Sequence, residues 1–385
     1  MAAASRGAAL VVIAALTGAW SIAPRPCVAE AEAGASPAWL REVTLNGFLN
    51  TSYSYNFNRP ASGTNQLRVF DFDDNTFKLD VFELVVQRAV AKPRDSGFRV
   101  DLTLGSSVPR VTASAGLFRD TSGKAEDVDV HQAFASYVAP IGAGLRLDFG
   151  KFITQHGSEV IEGYDGWNDN ATRSLLFGFA IPFTHLGARA SYAFSPRVSA
   201  LLMVVNGWDV ARDNNSSKSV GGQLTLTPAT PLTIYLSGMT GPERTGDNGD
   251  PRNLLDVVAI LKPTSRLTLA ANADWGDEKN GAGPGEDARW SGVAGYARVV
   301  VRGPLAVSLR GEYFEDADGA RTSTPQKRIP QKLTEYTVTP ELRLTPNLLL
   351  RGDARLDRSN HSVFEKESGF VETQPTVLFA AIYSF

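Results

Sequence analysis

Four histidines are the residues in this sequence whose type could most readily support catalysis: His131, His156, His185 and His361. A hydrolytic serine would need a histidine within hydrogen-bonding reach, and no serine lies in a GxSxG motif. The HExxH pattern of zinc hydrolases is also absent. The sequence therefore predicts no catalytic residues, no cofactor and no enzymatic activity.

A second candidate for chemistry is the acidic stretch FDFDDN, which holds Asp71, Asp73 and Asp74. Carboxylate oxygens at this spacing could bind calcium. The stretch lacks the twelve-residue ligand pattern of calcium loops and its terminal glutamate. We interpret it as a solvated acidic loop and predict no metal site.

The remaining charged residues that stand out occur at every second position of apolar segments. In GFRVDLTLG, Phe98, Val100 and Leu102 alternate with Arg99 and Asp101. This period of two indicates β-strands with one apolar face and one charged face. The charged positions of this kind are Arg99, Asp101, Arg146, Asp148, Arg189, Asp274, Arg310, Glu312, Arg351, Asp353 and Arg355.

The alternating pattern recurs along the chain and predicts sixteen strands. They cover residues 43–55, 77–90, 97–107, 128–139, 144–153, 183–194, 197–207, 218–227, 231–240, 252–262, 266–276, 288–301, 304–314, 331–344, 347–357 and 373–385. Short breaks, such as KPRDS and APIGA, alternate with longer segments rich in Gly, Asn, Asp and Pro. Short turns on one side and long loops on the other are typical of outer-membrane β-barrels.

Composition restricts the remaining classes. Hydrophobic residues make up 43% of the 385 residues and charged residues 21%, so a disordered chain is excluded. The net charge of -3 provides no basic surface for nucleic acid.

Residues 1–31 resemble a secretory signal peptide, with cleavage after Ala31 or Ala33, and Cys27 is the only cysteine. Residues 32–385 would then form the barrel.

The charged strand positions favour a lipid-embedded barrel over a soluble sandwich. Unpaired ions in a dry core would cost several kcal/mol each, whereas a water-filled lumen hydrates them. In lipid the sheet must close, and sixteen strands leave an aqueous channel. The chain ends in TVLFAAIYSF, which we predict to be the closing strand. Aromatic residues near strand ends fit interfacial girdles: Tyr53, Tyr55, Trp208, Trp275, Trp290, Tyr313, Tyr383 and Phe385.

The longest interruption between strands runs from residue 154 to 182 and is the third long loop. We hypothesise that it folds into the lumen as a constriction. It carries Glu159, Glu162, Asp165, Asp169 and Arg173. Its acids would face basic lumen positions such as Arg146, Arg189, Arg310, Arg351 and Arg355, and opposed charges across a narrow pore select among ions. The alternative is a solvated external loop.

Several stretches resemble the "putative beta-barrel porin-2, OmpL-like" family over nearly all of the mature chain. They are GFLNTSYSYNFNRP, LRVFDFDDNTFKLDVFELVVQ, LDFGKF, EVIEGYDGWNDNATRSLLFGFAIPFTHLGARASY, VVNGWD, LRGEYFEDADG and the terminal IYSF. The resemblance implies an all-β outer-membrane porin. Tyr383 and Phe385 resemble the C-terminal signature that the barrel assembly machinery reads.

These observations predict a passive diffusion channel for small hydrophilic solutes or ions in the bacterial outer membrane. Its partners would be outer-membrane lipid, lipopolysaccharide and the barrel assembly machinery, and a homotrimer is suggested by analogy with general porins. A non-conducting barrel that acts as an adhesin is the alternative. An outer-membrane hydrolase is the least favoured reading.

Overall fold

The computed structural model of the protein describes residues 38–111, 116–323 and 328–385. The predicted signal peptide, Cys27 and both predicted cleavage sites lie outside the described residues. Residues Ala38–Glu42 form a short 3₁₀ helix. Among the described residues, no helix is both long and apolar enough to cross a bilayer.

Residues from Val43 onward form one closed antiparallel barrel of sixteen strands, as the sequence predicts. The first eight are β1 (Thr44–Asn56), β2 (Thr76–Arg88), β3 (Ser96–Leu104), β4 (Val128–Ala139), β5 (Leu145–Ile153), β6 (Thr184–Ser195), β7 (Val198–Val205) and β8 (Ser219–Ala229). The next seven are β9 (Leu232–Pro242), β10 (Pro251–Thr264), β11 (Leu267–Gly283), β12 (Glu286–Arg302), β13 (Leu305–Asp316), β14 (Gln331–Arg343) and β15 (Leu348–Ser359). A two-stranded hairpin follows, β16 (Phe364–Lys366) and β17 (Gly369–Val371), and β18 (Thr373–Ser384) closes the barrel.

Closure occurs between the first and last barrel strands. β18 pairs with β1 from Phe48 opposite Ser384 to Asn56 opposite Thr376. The backbone of Phe385 extends this ladder, because Gly47 donates to its carbonyl at 2.8 Å and accepts from its N–H at 3.0 Å. Every barrel strand therefore has two partners, as a sheet in hydrocarbon requires.

The predicted alternation of faces holds in the strands. On β5, Phe149 is 73% exposed whereas its neighbour Asp148 is 3% exposed. On β18, Phe379 is 61% exposed whereas Leu378 is 5% exposed. Apolar side chains therefore cover the outer wall and the charged positions point inward.

The connections between strands divide by length. At one end, links of two to seven residues join β2 to β3, β4 to β5, β6 to β7, β8 to β9, β10 to β11, β12 to β13 and β14 to β15. The other end carries longer loops, among them L1 (57–75), L2 (105–127), L3 (154–183), L4 (206–218), L7 (317–330) and L8 (360–372). One long loop predicted from sequence, 277–287, is wrong: β11 extends to Gly283 and β12 starts at Glu286, with a register shift between Glu278 and Gly283.

Two of the predicted girdle aromatics, Trp208 and Trp290, are also placed wrongly by the sequence pattern. They are 7% and 3% exposed and meet edge to face, with ring centroids 6.2 Å apart. Both belong to an apolar cluster of buried side chains inside the barrel. By contrast Trp275 is 50% exposed on the outer wall.

Candidate functional site

The charged positions predicted to line the pore lie on the inward face, but most are covered by protein. Eight of them are at most 5% exposed: Asp101, Asp148, Asp274, Arg310, Glu312, Arg351, Asp353 and Arg355. The side chains of Arg99, Arg146 and Arg189 keep exposed fractions of 15%, 42% and 16%. Residues of L3 shield most of these side chains from solvent.

L3 is attached to the barrel wall by two buried ion pairs. Glu159 contacts Arg310 of β13 at 2.7 Å, and Glu162 contacts Arg351 of β15 at 2.7 Å. Arg173, also on L3, approaches Glu162 at 3.2 Å. Because both partners of each pair are buried, removing either charge would leave the other less compensated.

Backbone N–H groups of L3 provide a second set of attachments. The carboxylate of Asp353 accepts hydrogen bonds from the N–H groups of Ala171 (3.1 Å) and Thr172 (2.7 Å). Glu312 accepts from Leu175 (2.7 Å) and Leu176 (3.2 Å). These two strand acids therefore hold the loop backbone in place.

The tip of L3 makes further contacts with the barrel wall. Tyr164 donates its backbone N–H to Glu83 of β2 at 3.0 Å, and Asp165 contacts Arg99 of β3 at 2.6 Å. Asp169 contacts Arg298 of β12 at 3.3 Å. The loop therefore crosses the lumen from wall to wall.

The sequence predicts that the acids of L3 face five arginines of the lumen, and the structure brings only some of these arginines to L3. Arg310 and Arg351 contact L3 acids directly, and Arg355 donates to the backbone carbonyl of Arg173. Arg146 and Arg189 both bond instead to Asp148, each at 2.9 Å. The L3 acids are thus in contact with arginines, with no open gap between them.

The C-terminal part of L3 is apolar and packs inside the barrel. Residues Leu176–Ala180 form a π-helix, which the sequence did not predict. Phe177 lies 6.0 Å from Phe70 of L1 between ring centroids, and Trp290 donates its indole N–H to the carbonyl of Ala180 at 3.1 Å. L1 and L3 therefore share one apolar interior cluster with the barrel wall.

An open cavity of about 360 Å³ remains along β2–β6. We call it the β2–β6 vestibule, and it is lined in part by Arg99, Gln132, Ser136, Arg146 and Arg189. The Arg189 guanidinium lies 4.5 Å from the centroid of the Phe152 ring, which fixes its orientation. Arginine side chains thus face the open space on this side of L3.

The loop acids have shifted proton affinities. Burial alone would raise the pKa of Glu162, but the guanidinium groups of Arg173 and Arg351 lower it below its ordinary value. Burial raises the pKa of Asp209 on L4 to about 6, although the N–H groups of Thr184 and Phe183 oppose the shift. Glu162 therefore stays ionised to more acidic pH than a free glutamate, whereas Asp209 protonates more readily than a free aspartate.

The acidic stretch of L1 has structural partners. Asp71 pairs with Arg68, Asp73 lies 3.8 Å from Lys78, and Asp74 accepts the N–H of Asn56 at 2.6 Å. Among the described residues, no group of three or more His, Cys, Asp or Glu side chains is placed to bind a metal ion.

Several attachment residues were missed from sequence. Asp256 of β10 accepts the N–H of Gly157 at 3.0 Å, and Asn272 of β11 accepts that of Ser158 at 3.0 Å. Their inward position was readable from the alternation, and only the path of L3 reveals their role. Tyr383 and Phe385, predicted to be an assembly signal, are 45% and 52% exposed, and the Phe385 ring lies over Gly47.

A closed barrel of sixteen antiparallel strands, with charges inside and a loop across the lumen, is the fold of an outer-membrane porin. The chain belongs to the family described as "putative beta-barrel porin-2, OmpL-like", whose model matches residues 42–385. It is thus a porin-class β-barrel of the bacterial outer membrane.

Solved structures share this fold at low sequence identity. The chain is similar to the outer membrane channel DcaP of Acinetobacter baumannii, with 12% identity, a TM-score of 0.58, and 89% and 97% of the two chains covered. It is similar to an anion-selective porin from Comamonas acidovorans, with 14% identity, a TM-score of 0.56, and 89% and 99% covered. It is also similar to the trimer form of OmpT of Vibrio cholerae, with 10% identity, a TM-score of 0.55, and 89% and 99% covered. No curated protein matches the chain.

Proposed function

We propose that the protein is a passive diffusion channel for small hydrophilic solutes or ions, in which L3 sets the constriction. The observation that carries the proposal is the path of L3, which is pinned across the lumen by Glu159–Arg310 and Glu162–Arg351. A loop fixed in this way narrows the aqueous channel of a wide barrel and leaves the sheet of the barrel wall intact.

The open path for solutes would follow the part of the barrel wall that L3 does not cover. The β2–β6 vestibule supports this route, because Arg146 keeps 42% of its side chain exposed there. Solute anions would meet Arg99, Arg146 and Arg189, whose charges are partly balanced by Asp101 and Asp148. We therefore propose weak anion preference; the solved porin from Comamonas acidovorans is anion-selective.

The proposal is tested by neutralising the L3 acids with residues of the same shape. The variant Glu159→Gln, Glu162→Gln, Asp165→Asn should change single-channel conductance and ion selectivity in planar bilayers. A matched triple variant, Asp120→Asn, Glu286→Gln, Glu367→Gln, changes the same number of charges at exposed positions. Unchanged conductance and selectivity in the L3 variant would reject L3 as the constriction.

A second function, that of a non-conducting barrel such as an adhesin, is favoured by one observation. The apolar part of L3 joins Trp208, Trp290 and Phe314 in a buried cluster that fills part of the lumen. Liposome swelling separates the two functions, since a channel passes sugars and a filled barrel does not. Swelling at the rate of empty liposomes would favour the second function.

The remaining sequence predictions stay proposals. We propose that residues 1–31 direct export and are removed, that Tyr383 and Phe385 are read by the barrel assembly machinery, and that lipopolysaccharide surrounds the outer wall. A porin of the same fold, OmpT of Vibrio cholerae, has a trimer form. By analogy we propose a homotrimer for this chain.

A further inference from the structure

The charged side chains that line the β2–β6 vestibule are all cationic. They are Arg88, Arg99, Arg146 and Arg189, and no aspartate or glutamate is among the described residues that line this cavity. Asp148, which pairs with two of these arginines, is only 3% exposed and does not line the cavity. A solute in the vestibule therefore meets positive charge before it meets any acid.

Asp148 holds two of the arginines at once. Its carboxylate accepts a hydrogen bond from the Nε–H of Arg146 and another from the Nε–H of Arg189, each at 2.9 Å. The Ser136 hydroxyl donates to the same carboxylate at 2.6 Å. Two guanidinium groups therefore share one acid, and this group of side chains keeps a net positive charge.

The terminal nitrogens of both guanidinium groups remain available to a solute. Within the described part of the chain, the terminal nitrogens of Arg189 have no hydrogen-bond acceptor, and those of Arg146 make one long contact, 3.4 Å to Ser136. The Arg189 guanidinium also lies 5.4 Å from the centroid of the Phe134 ring and 4.5 Å from that of Phe152. These rings and Asp148 fix the orientation of Arg189, so that its free N–H groups are preorganised.

The vestibule has the size and the chemistry that a small oxyanion requires. Its volume of about 360 Å³ far exceeds the roughly 15 Å³ that one water molecule needs, so a partly hydrated oxyanion fits. Guanidinium groups form paired, charge-assisted hydrogen bonds with the oxygens of a carboxylate or a phosphate. Chloride is a single atom and cannot accept such a pair through two oxygens.

We propose that the β2–β6 vestibule is a binding subsite for small oxyanions, that is, for solutes that carry a phosphate or a carboxylate group. The inference deepens the proposed channel function and rests on it, because the solute reaches the subsite along the lumen. Arg146 and Arg189 bind the oxyanion through their terminal N–H groups, while Asp148 holds both side chains from behind. An oxyanion therefore stays longer in the vestibule than chloride does.

The test uses the refolded full chain, with inorganic phosphate and acetate as separate probes. Binding is measured by isothermal titration calorimetry in detergent at constant ionic strength. Block of the chloride current is measured in planar bilayers as each probe is added. Both measurements are repeated on a variant of the subsite and on a matched control.

The variant is Arg146→Lys, which keeps the charge and removes the planar fork. Its side chain is 42% exposed, so the barrel should fold normally. The matched control is Arg343→Lys. The Arg343 side chain is 34% exposed and lies 3.9 Å from Glu341, an acid two positions away on the same strand, as Asp148 is from Arg146. Arg343 does not line the vestibule.

We expect saturable binding of the probes and a chloride current that falls as they are added. Arg146→Lys should weaken the affinity about tenfold, whereas Arg343→Lys should leave it unchanged. Binding of one probe alone would support the subsite and assign it to that class of oxyanion.

Two further outcomes separate the subsite from the channel. Conductance without binding of either probe would overturn the subsite and leave the channel function in place. Binding without conductance would support the subsite and reject the channel. Equal losses of affinity in the two variants would overturn the assignment to the vestibule.

Discussion

The guanidinium of Arg310 and the carboxylate of Glu159 meet at 2.7 Å inside the barrel, with side-chain exposures of 0% and 4%. Arg310 belongs to β13 and Glu159 to L3, so this contact joins the loop to the wall. Arg310 also contacts Glu335 of β14 at 2.9 Å and donates to the Thr172 carbonyl at 2.7 Å. One buried arginine thus connects two strands with two points on L3.

Glu159→Gln should lower the free energy of unfolding by about 3 kcal/mol, because it leaves part of a buried charge uncompensated. Urea unfolding in detergent micelles measures the change. The control is Glu367→Gln, which breaks a surface pair with Arg59 of 2.9 Å whose side chains are 63% and 67% exposed. That variant should lose less than about 1 kcal/mol. Equal losses in the two variants would contradict a structural role for the L3 attachment.

Arg146→Gln should shift the reversal potential under a salt gradient toward cations. The substitution removes a partly exposed positive charge from the β2–β6 vestibule, while Asp148 keeps Arg189 as a partner. Arg289→Gln is the control, since the Arg289 side chain is 72% exposed and does not line the vestibule. A shift of the same size in the control would show that the vestibule is not the ion path.

Stability should fall as pH rises from about 4 to about 6 because of Asp209. Its folded-state pKa of about 6 lies above the ordinary value of 3.8, so the folded chain binds this proton more tightly than the unfolded chain. The resulting stabilisation is complete below pH 3.8 and is lost as pH rises through 6. Asp209→Asn should flatten this slope and gain roughly 3 kcal/mol over the wild type at pH 7.

The control for this pH dependence is Asp213→Asn, which neutralises another acid of the same loop. Urea midpoints between about pH 4 and about pH 8 report both variants. The side-chain amide oxygen that Asp209→Asn introduces can still accept the N–H groups of Phe183 and Thr184, so the loop should keep its path. An unchanged slope in Asp209→Asn would refute the assignment.

Asp274→Asn should leave stability unchanged or raise it by about 1–3 kcal/mol. Asp274 is fully buried directly opposite Asp256, so two acids face each other across the β10–β11 ladder. An amide at this position can donate a hydrogen bond to Asp256, so that two carboxyl groups no longer face each other. A loss of stability above about 2 kcal/mol would show that the acid at 274 has a partner of its own.

The comparison variant is Asp353→Asn on β15. Asp353 accepts the N–H groups of Ala171 and Thr172 and the hydroxyls of Thr172 and Thr339. An amide there turns one acceptor into a donor, so stability should fall by about 2 kcal/mol. Urea unfolding of the two variants under the same conditions distinguishes an acid that holds L3, Asp353, from one that does not, Asp274.

The strands were predictable because their signal is local. On β5, Leu147 and Phe149 face outward while Arg146 and Asp148 face inward, as the alternation predicts. The extensions of β11 to Gly283 and of β12 to Glu286 were missed because the sequence there, DEKNGAGPGED, has loop composition. Pairing with the preceding ladder overrides that composition, with a register shift between Glu278 and Gly283.

The site was predictable only as a set of inward charges. Glu159 and Arg310 are 151 positions apart, and nothing local to either residue indicates that they meet. The same holds for Trp208 and Trp290, whose position near strand ends suits a girdle but whose side chains turn inward. Such contacts depend on the curvature of the closed barrel and on the path of L3.

The most direct test of the central claim is single-channel recording of the refolded mature protein in planar bilayers, with the reversal potential under a salt gradient. An open path past L3 predicts steady conductance steps and a reversal potential that indicates weak anion preference. A correctly folded barrel that gives no steps would contradict the account. The apolar cluster around L3 would then be a plug.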